Sequence, residues 1–305
     1  MSGTTGSPQE KKPIDEIENW NIDRSVTPYT MVRGNMQKAG GSWFYSTGDL
    51  KTDIALGNIT NYSFVHKFGR NANVSTSLVP VCDSGGYQTP TSAVSLEFVS
   101  SSASDALNST GMHELTIEGL DANWNLQTVT TAAHATNGTT AVAVSGTWLR
   151  VFRAYVSQSG AYANVVTPTP SHIGTITIRV ASAGATYATI PTLDTNFGGG
   201  QSLIGWYTVP AGYTAYLLSE VYSSDVATNK TTNFYLMKRE NANDTTSSYT
   251  GTLRVQQAII GTDGTHSYEH QSLESFPQYT DFGFMALASA ATDASVEFEI
   301  LLVAN

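Results

Sequence analysis

The 305 residues are 40% hydrophobic and only 13% charged, with 15 Lys and Arg against 25 Asp and Glu, a formal net charge of −10. The apolar fraction rules out wholesale disorder, and the scattered basic residues lack the clustering that phosphate neutralisation needs, so no nucleic-acid partner is expected. A single cysteine, Cys82, excludes an internal disulfide and any multi-cysteine zinc site.

The chain begins with a small, polar stretch, Met1–Lys12, and no apolar segment of the signal-peptide kind follows it. No apolar run approaches the roughly 20 residues of a membrane span, so no membrane partner is expected. Pro13 opens a short predicted helix, with Asp15 and Glu16 in its first turn and Ile14, Ile17 and Trp20 roughly on one side. The stretch after it carries isolated aromatics and glycines without sustained periodicity. Residues 1–62 therefore read as an extended N-terminal arm with a short helix. Trp20, Trp43, Phe44 and Tyr45 are its candidate interface residues, side chains that a partner's groove could bury.

From 63 to 190, short alternating segments are separated by turn signals. Val94, Leu96 and Phe98 sit two apart, as do Leu115 and Ile117, and Ile176, Ile178 and Val180, with Thr175, Thr177 and Arg179 facing solvent between the last set. Asn137-Gly138 is the best hairpin turn. The run TWLRVFRAYV, 147–156, is apolar on both faces and predicts a central strand whose Arg150 and Arg153 point to opposite sides. Residues 191–202, with Pro191 and Gly198-Gly199-Gly200, predict a Gly-rich linker. The alternation resumes over 203–305 and is clearest at the end, where Val296, Phe298, Ile300 and Leu302 form one face and Glu297 and Glu299 the other. A shift of one residue there would bury two carboxylates, so the orientation is strongly specified. The predicted fold is all-β: two β-sandwich or jelly-roll-like domains, 63–190 and 203–305, behind the arm.

The motifs of nucleophile elbows, P-loops, HExxH zincins and dinucleotide folds are missing. FGGGQS lacks the Lys-Ser/Thr and helix of a phosphate cradle. His266 and His270 stand four apart in GTDGTHSYEHQSLESF, which reads as a loop running into a strand. On a strand that spacing is about 13 Å, too far for one ion, so no metal site is expected. Cys82 reads as a buried structural thiol, and Asp105, Asp121, Asp194 and Asp225 as loop residues whose carboxylates bond local backbone. Trp206, Tyr207, Tyr213 and Tyr216 could form a sugar platform, but packing is the stronger expectation for aromatics on strands. No catalytic residues and no cofactor are predicted. A paired-carboxylate glycosidase site could only be assembled from distant strands, which the sequence does not display.

Four segments carry a likeness: FVHKFGRNANVSTS (64–77), SGGYQTP (84–90), SLEFVSSSASDALNSTGMHELTIEGLDANWN (95–125) and GTWLRVFRAYVSQSGAYANV (146–165). Together they resemble a family of virion structural proteins of marine and freshwater tailed bacteriophages, especially cyanophage-like ones. The likeness covers the middle third of the chain; Ser109-Thr110-Gly111 stands where the family has Gly-Thr-Gly. It implies a non-enzymatic particle component, made in host cytoplasm and placed in the virion as a capsid-associated, decoration or shell protein. Its expected partners are copies of itself, a trimer first, and other virion proteins. The alternative is a receptor- or carbohydrate-binding tail or appendage protein that contacts host surface glycans.

Overall fold

The computed structural model describes the backbone of residues 20–23, 30–33, 36–39 and 42–45, and then residues 49–131, 137–161, 171–192, 199–227, 230–246, 248, 250–262 and 264–305. Side chains are described from residue 49 onward, except at 259, 260 and 262. The chain divides into two units, 1–64 and 65–305.

In the first unit, β1 (Trp20–Asp23) pairs antiparallel with β2 (Thr30–Arg33), and β3 (Met36–Ala39) with β4 (Ser42–Tyr45). The short helix expected from Pro13 lies outside the described residues up to Trp20, which stands in β1; the described parts of the expected arm are these two strand pairs. Among the described residues of this unit there is a helix, α1, Leu50–Ala55, capped by Asp49, whose carboxylate accepts from the Thr52 backbone N–H at 2.9 Å. That cap satisfies one of the first-turn amides a helix leaves unpaired.

The second unit is built from antiparallel strands. Its segments are β5 (Tyr62–Val74), β6 (Val79–Pro80), β7 (Leu96–Ser100), β8 (Met112–Leu120), β9 (Leu126–Thr130), β10 (Val142–Ala143), β11 (Arg150–Ser159), β12 (Ile176–Val180) and β13 (Thr186–Ile190). Then follow β14 (Trp206–Thr208), β15 (Tyr213–Ser224), β16 (Thr232–Arg239), β17 (Arg254–Thr262), β18 (Gly264–Phe276), β19 (Asp281–Ala288) and β20 (Thr292–Ala304). They make four sheets, ordered β10-β7-β12-β13, β11-β8-β9, β14-β19-β16-β17 with β6 on β19, and β18-β15-β20-β5.

Two cores result. One gathers Leu217, Phe234, Phe276, Phe282, Phe284, Phe298 and Ile300, with the Phe276 and Phe282 rings stacked 4.1 Å apart. The other gathers Leu96, Phe98, Leu115, Ile117, Trp148, Val151, Ile176 and Ile178. Each fully buried side chain of this size contributes roughly 1.5–3 kcal/mol over its exposed state. The alternations read from the sequence are in register: Leu96 and Phe98, Leu115 and Ile117, Ile176 and Ile178, and the face of β20 are all buried, while Glu297 is exposed.

The chain exchanges strands between its two β-rich halves. β5 and β6 join sheets made of strands beyond residue 205. Ile204, Trp206 and Met237 enter the core of the earlier strands, while Leu120, Leu149 and Phe152 enter the later one. The Gly200–Ser202 end of the predicted linker runs along β11. There the Val156 N–H donates to the Gly200 carbonyl at 2.7 Å and the Ser202 N–H to the Ala154 carbonyl at 2.8 Å. Gly69 and Gly205 let two backbones cross here, since a Cβ on Gly69 would lie 2.2 Å from the Gly205 nitrogen.

Candidate functional site

The predicted interface residues fall in the two N-terminal hairpins. Trp20 lies opposite Arg33, Trp43 opposite Lys38, Phe44 opposite Gln37 and Tyr45 opposite Met36. Trp43, Phe44 and Tyr45 share one strand, and Trp20 is on the other hairpin; their side chains lie outside the described residues.

The strongest polar centre is one that sequence reading did not assemble. Asp281, at the start of β19, is buried and receives two guanidinium groups. Arg150, fully buried on β11, donates from Nε to Oδ1 at 2.8 Å and from Nη2 to Oδ2 at 3.1 Å. Arg239, ending β16, donates from Nε to Oδ2 at 2.8 Å and also through Nη2. The Thr208 hydroxyl donates to Oδ1 at 2.5 Å, so the Tyr87 hydroxyl, 2.8 Å from Thr208, is the donor of that next bond. Burial pushes the Tyr87 phenol well above its ordinary range, which keeps it protonated for that role. The Tyr87 ring stacks on Trp206, and Arg150 lies 4.9 Å over the Trp124 ring. Two cations on one carboxylate form a clamp between strands 131 residues apart in the chain. The arrangement offers no free base or nucleophile.

Other buried groups have shifted protonation, Lys67, Asp83, Glu220 and Cys82 among them. Among the described residues Lys67 donates to the Phe152 carbonyl alone, and burial pulls its ammonium down to about 7. Burial pushes the Asp83 carboxyl up to about 7; one oxygen accepts from the Leu203 N–H at 2.6 Å, and among the described residues the other has no hydrogen-bond partner. Glu220 is raised by burial against the bond from His270 at 2.7 Å. Burial raises the Cys82 thiol to about 11, so it is held as the unreactive thiol.

His266 and His270 both lie on β18 and face different partners. His266 stacks on Tyr222, whereas His270 bonds Glu220. Among the described residues no group of three or more His, Cys, Asp or Glu is placed to hold a metal ion. Asp105 is a buried loop organiser, accepting from the backbone N–H groups of Met112, Ile173 and Gly174 at 2.8–2.9 Å. Asp121 accepts from Asn123 and Asn125, as a local Asx turn does, and Asp225 accepts from Asp293 across the sheet. Asp194 lies outside the described residues. Trp206 and Tyr207 are buried, so the sugar platform is not formed; Tyr213 and Tyr216 are half-buried.

The hollows are shallow. One of about 330 Å³ is lined by Arg70, Asn71, Cys82, Asp83 and Leu203. Another of about 320 Å³ holds His66, Glu297 and Glu299. The His66–Glu297 pair in it is more than half exposed, without the enclosure that a glycosidase general acid requires.

Comparison with known proteins places the chain in no family. No family model matches it, and no curated protein matches it. Among solved structures it has a weak likeness to a chain of infectious bursal disease virus, Gx strain, at 10% identity and a TM-score of 0.25, over 80% of this chain and 72% of that one. A chain of the T13 particle of the same virus is similar at 10% identity and a TM-score of 0.19, over 81% and 75% of the two chains. The Gt strain gives 8% identity and a TM-score of 0.10, over 80% of each chain. At these scores the likeness carries no argument about function.

Proposed function

We propose that the protein is a non-enzymatic structural component of a bacteriophage virion, capsid-associated as a decoration or shell protein. It assembles as a homo-oligomer, a trimer in the first instance, anchored through residues 1–62. The observation that carries this reading is where the residues of the sequence likeness sit. Gly69 marks a backbone crossing, Arg70 pairs with Asp293, and Asn71 donates to the Pro80 carbonyl at 2.8 Å. Tyr87 and Arg150 belong to the Asp281 clamp, Asp105 organises its loop, and Asp121 forms a turn. The motif that resembles virion proteins is therefore spent on architecture, as it is in a protein whose product is a shape. An enzyme's signature residues would instead converge on a cleft.

Deletion of residues 1–45 tests the anchoring role. The truncated chain is expected to keep its β-sheet circular dichroism and cooperative unfolding yet fail to join particles assembled in its presence. Incorporation equal to that of the full chain would remove the anchor from this account.

A further inference from the structure

The ladder between β15 and β18 is broken in its middle. Pairs run from Ala215–Phe276 to Leu217–Glu274 and again from Ser219–Glu269 to Ser224–Gly264, so residues 270–273 bulge opposite Leu218. A bulge leaves its extra residues without ladder bonds and loosens the strand where it sits. Gln271, Ser272 and Leu273 are exposed, but His270, the first residue of the bulge, turns inward, with 8% of its side chain exposed. Its Nε2 donates to Oε1 of Glu220 at 2.7 Å. The Glu220 backbone stands opposite Tyr268, whose ring meets the His270 ring edge-on at 4.9 Å. The bulge is thus fastened through a side chain where its backbone is not.

The anchor of that fastening is a costly place for a lone charge. The Glu220 side chain is fully buried, on a ladder position between Phe298 of β20 and Tyr268 of β18. Among the described residues its Oε2 has no hydrogen-bond partner. The other titratable groups around it are engaged or turned away. Tyr222, on the same strand, is a phenol that burial and the Glu220 charge hold protonated, and His266 stacks on it. Glu274 is taken by Gln256 of β17 and Lys238 of β16. Glu269 is exposed opposite Ser219, and Glu297 and Glu299 of β20 line a hollow with Ser219 and Val221 on the other face of the sheet. Among the described residues His270 is the cation in contact with Glu220.

We propose that Glu220 and His270 form a proton-controlled clasp: sharing one proton they pin the bulge of β18 onto β15, and loss of that proton releases the middle of the edge strand. With the proton present, imidazolium and carboxylate cancel each other's charge. Without it, the neutral imidazole still donates one bond but leaves a buried carboxylate uncompensated, and opening the bulge lets water reach it. A second proton leaves the imidazolium bonded to a neutral acid, so the clasp survives acid. The direction agrees with burial raising the Glu220 carboxyl: the closed strand holds its proton more tightly than the open one, so closure is favoured at low pH and lost as pH rises.

Hydrogen exchange of the full chain from about pH 5 to about pH 9, corrected for the intrinsic pH dependence of exchange, reads the clasp as the protection of 264–276 relative to 281–288. That ratio is expected to fall about tenfold or more as pH rises. Glu220→Gln, an uncharged isostere, should make it independent of pH. His270→Gln, which keeps a donor but not the titrating proton, should hold it low at every pH, and His266→Gln should behave as the wild type. A ratio constant with pH in the wild-type chain would overturn the clasp, and so would a ratio that falls equally in either pair variant or a dependence lost in His266→Gln. Cooperative urea unfolding establishes that each variant is folded, and either pair variant alone decides the question.

Discussion

β18 and β19 follow one another in the chain, separated by residues 277–280, and differ in almost everything but backbone conformation. β19 is paired on both sides, by β16 on one and by β14 and β6 on the other, and Asp281–Phe284 is a run of buried residues. Among the described residues β18 is paired on one side, with residues 270–273 bulging opposite Leu218, and it is exposed along most of its length. A strand whose partners are all internal can be apolar throughout, because every backbone group and both faces are satisfied within the fold. A strand paired on one side, with both faces largely in water, is polar throughout, and β18, with its serines, histidines and glutamates around one tyrosine and one leucine, has that composition. The contrast separates the strand that holds this molecule together from the strand that is held.

The contrast breaks most visibly at its buried end. Asp281→Ala leaves the Arg150 and Arg239 guanidinium groups facing each other without their carboxylate. It should cost about 3–5 kcal/mol in denaturant unfolding, the scale for removing one partner from a buried ion cluster. Phe284→Ala, on the same strand, should cost about 3–4 kcal/mol by the same measurement, since it empties a ring-sized space in the later core. A loss below about 1 kcal/mol at either site would mean that β19 is not the internal strand described here.

Two buried ionisable groups sharpen the comparison through pH. Lys67 titrates near 7 in the fold and near 10.5 when unfolded. Between those values the unfolded chain holds the extra proton, so its contribution makes stability rise with pH, and Lys67→Met should flatten that alkaline rise. Asp83 is the opposite case, raised by burial from 3.8 to about 7. Its contribution is fully present below pH 3.8 and is lost as pH climbs through 7, so Asp83→Asn should flatten the fall across that window. Urea midpoints measured from pH 4 to pH 10 in the wild-type chain and both variants would display the two slopes. Unchanged slopes in the variants would contradict the burial of these groups.

The smallest effect belongs to the open edge. Leu273→Ser should change the unfolding free energy of the chain by no more than about 0.5 kcal/mol, because the residue is exposed. A loss as large as that of Phe284→Ala would place Leu273 in a core.

How far the sequence revealed this molecule follows the same division. Strands with one buried face were readable from their period: β20 with Val296, Phe298, Ile300 and Leu302 inward, β12 with Ile176 and Ile178. β18 reads as a loop running into a strand because neither face is apolar; it is a strand because β15 holds it. In the N-terminal region, the short helix suggested by the spacing after Pro13 lies outside the described residues; Trp20, beyond it, stands in a strand opposite Arg33. The later helix is announced only by its cap, Asp49. Gly200–Ser202 reads as a hinge because glycine breaks patterns, although it pairs with β11. The clamp was half legible. An arginine inside the apolar run 147–156 demands a buried anion, but nothing local tells that the anion is Asp281. The predicted interface aromatics remain a proposal about the arm.

Hydrogen exchange on the full chain, followed by mass spectrometry at several protein concentrations, tests the central division most directly. The peptides of β19 are predicted to stay protected at every concentration and to outlast those of β18 by orders of magnitude. Exchange of 264–276 as slow as that of 281–288 would contradict the division between an internal strand and an exposed edge.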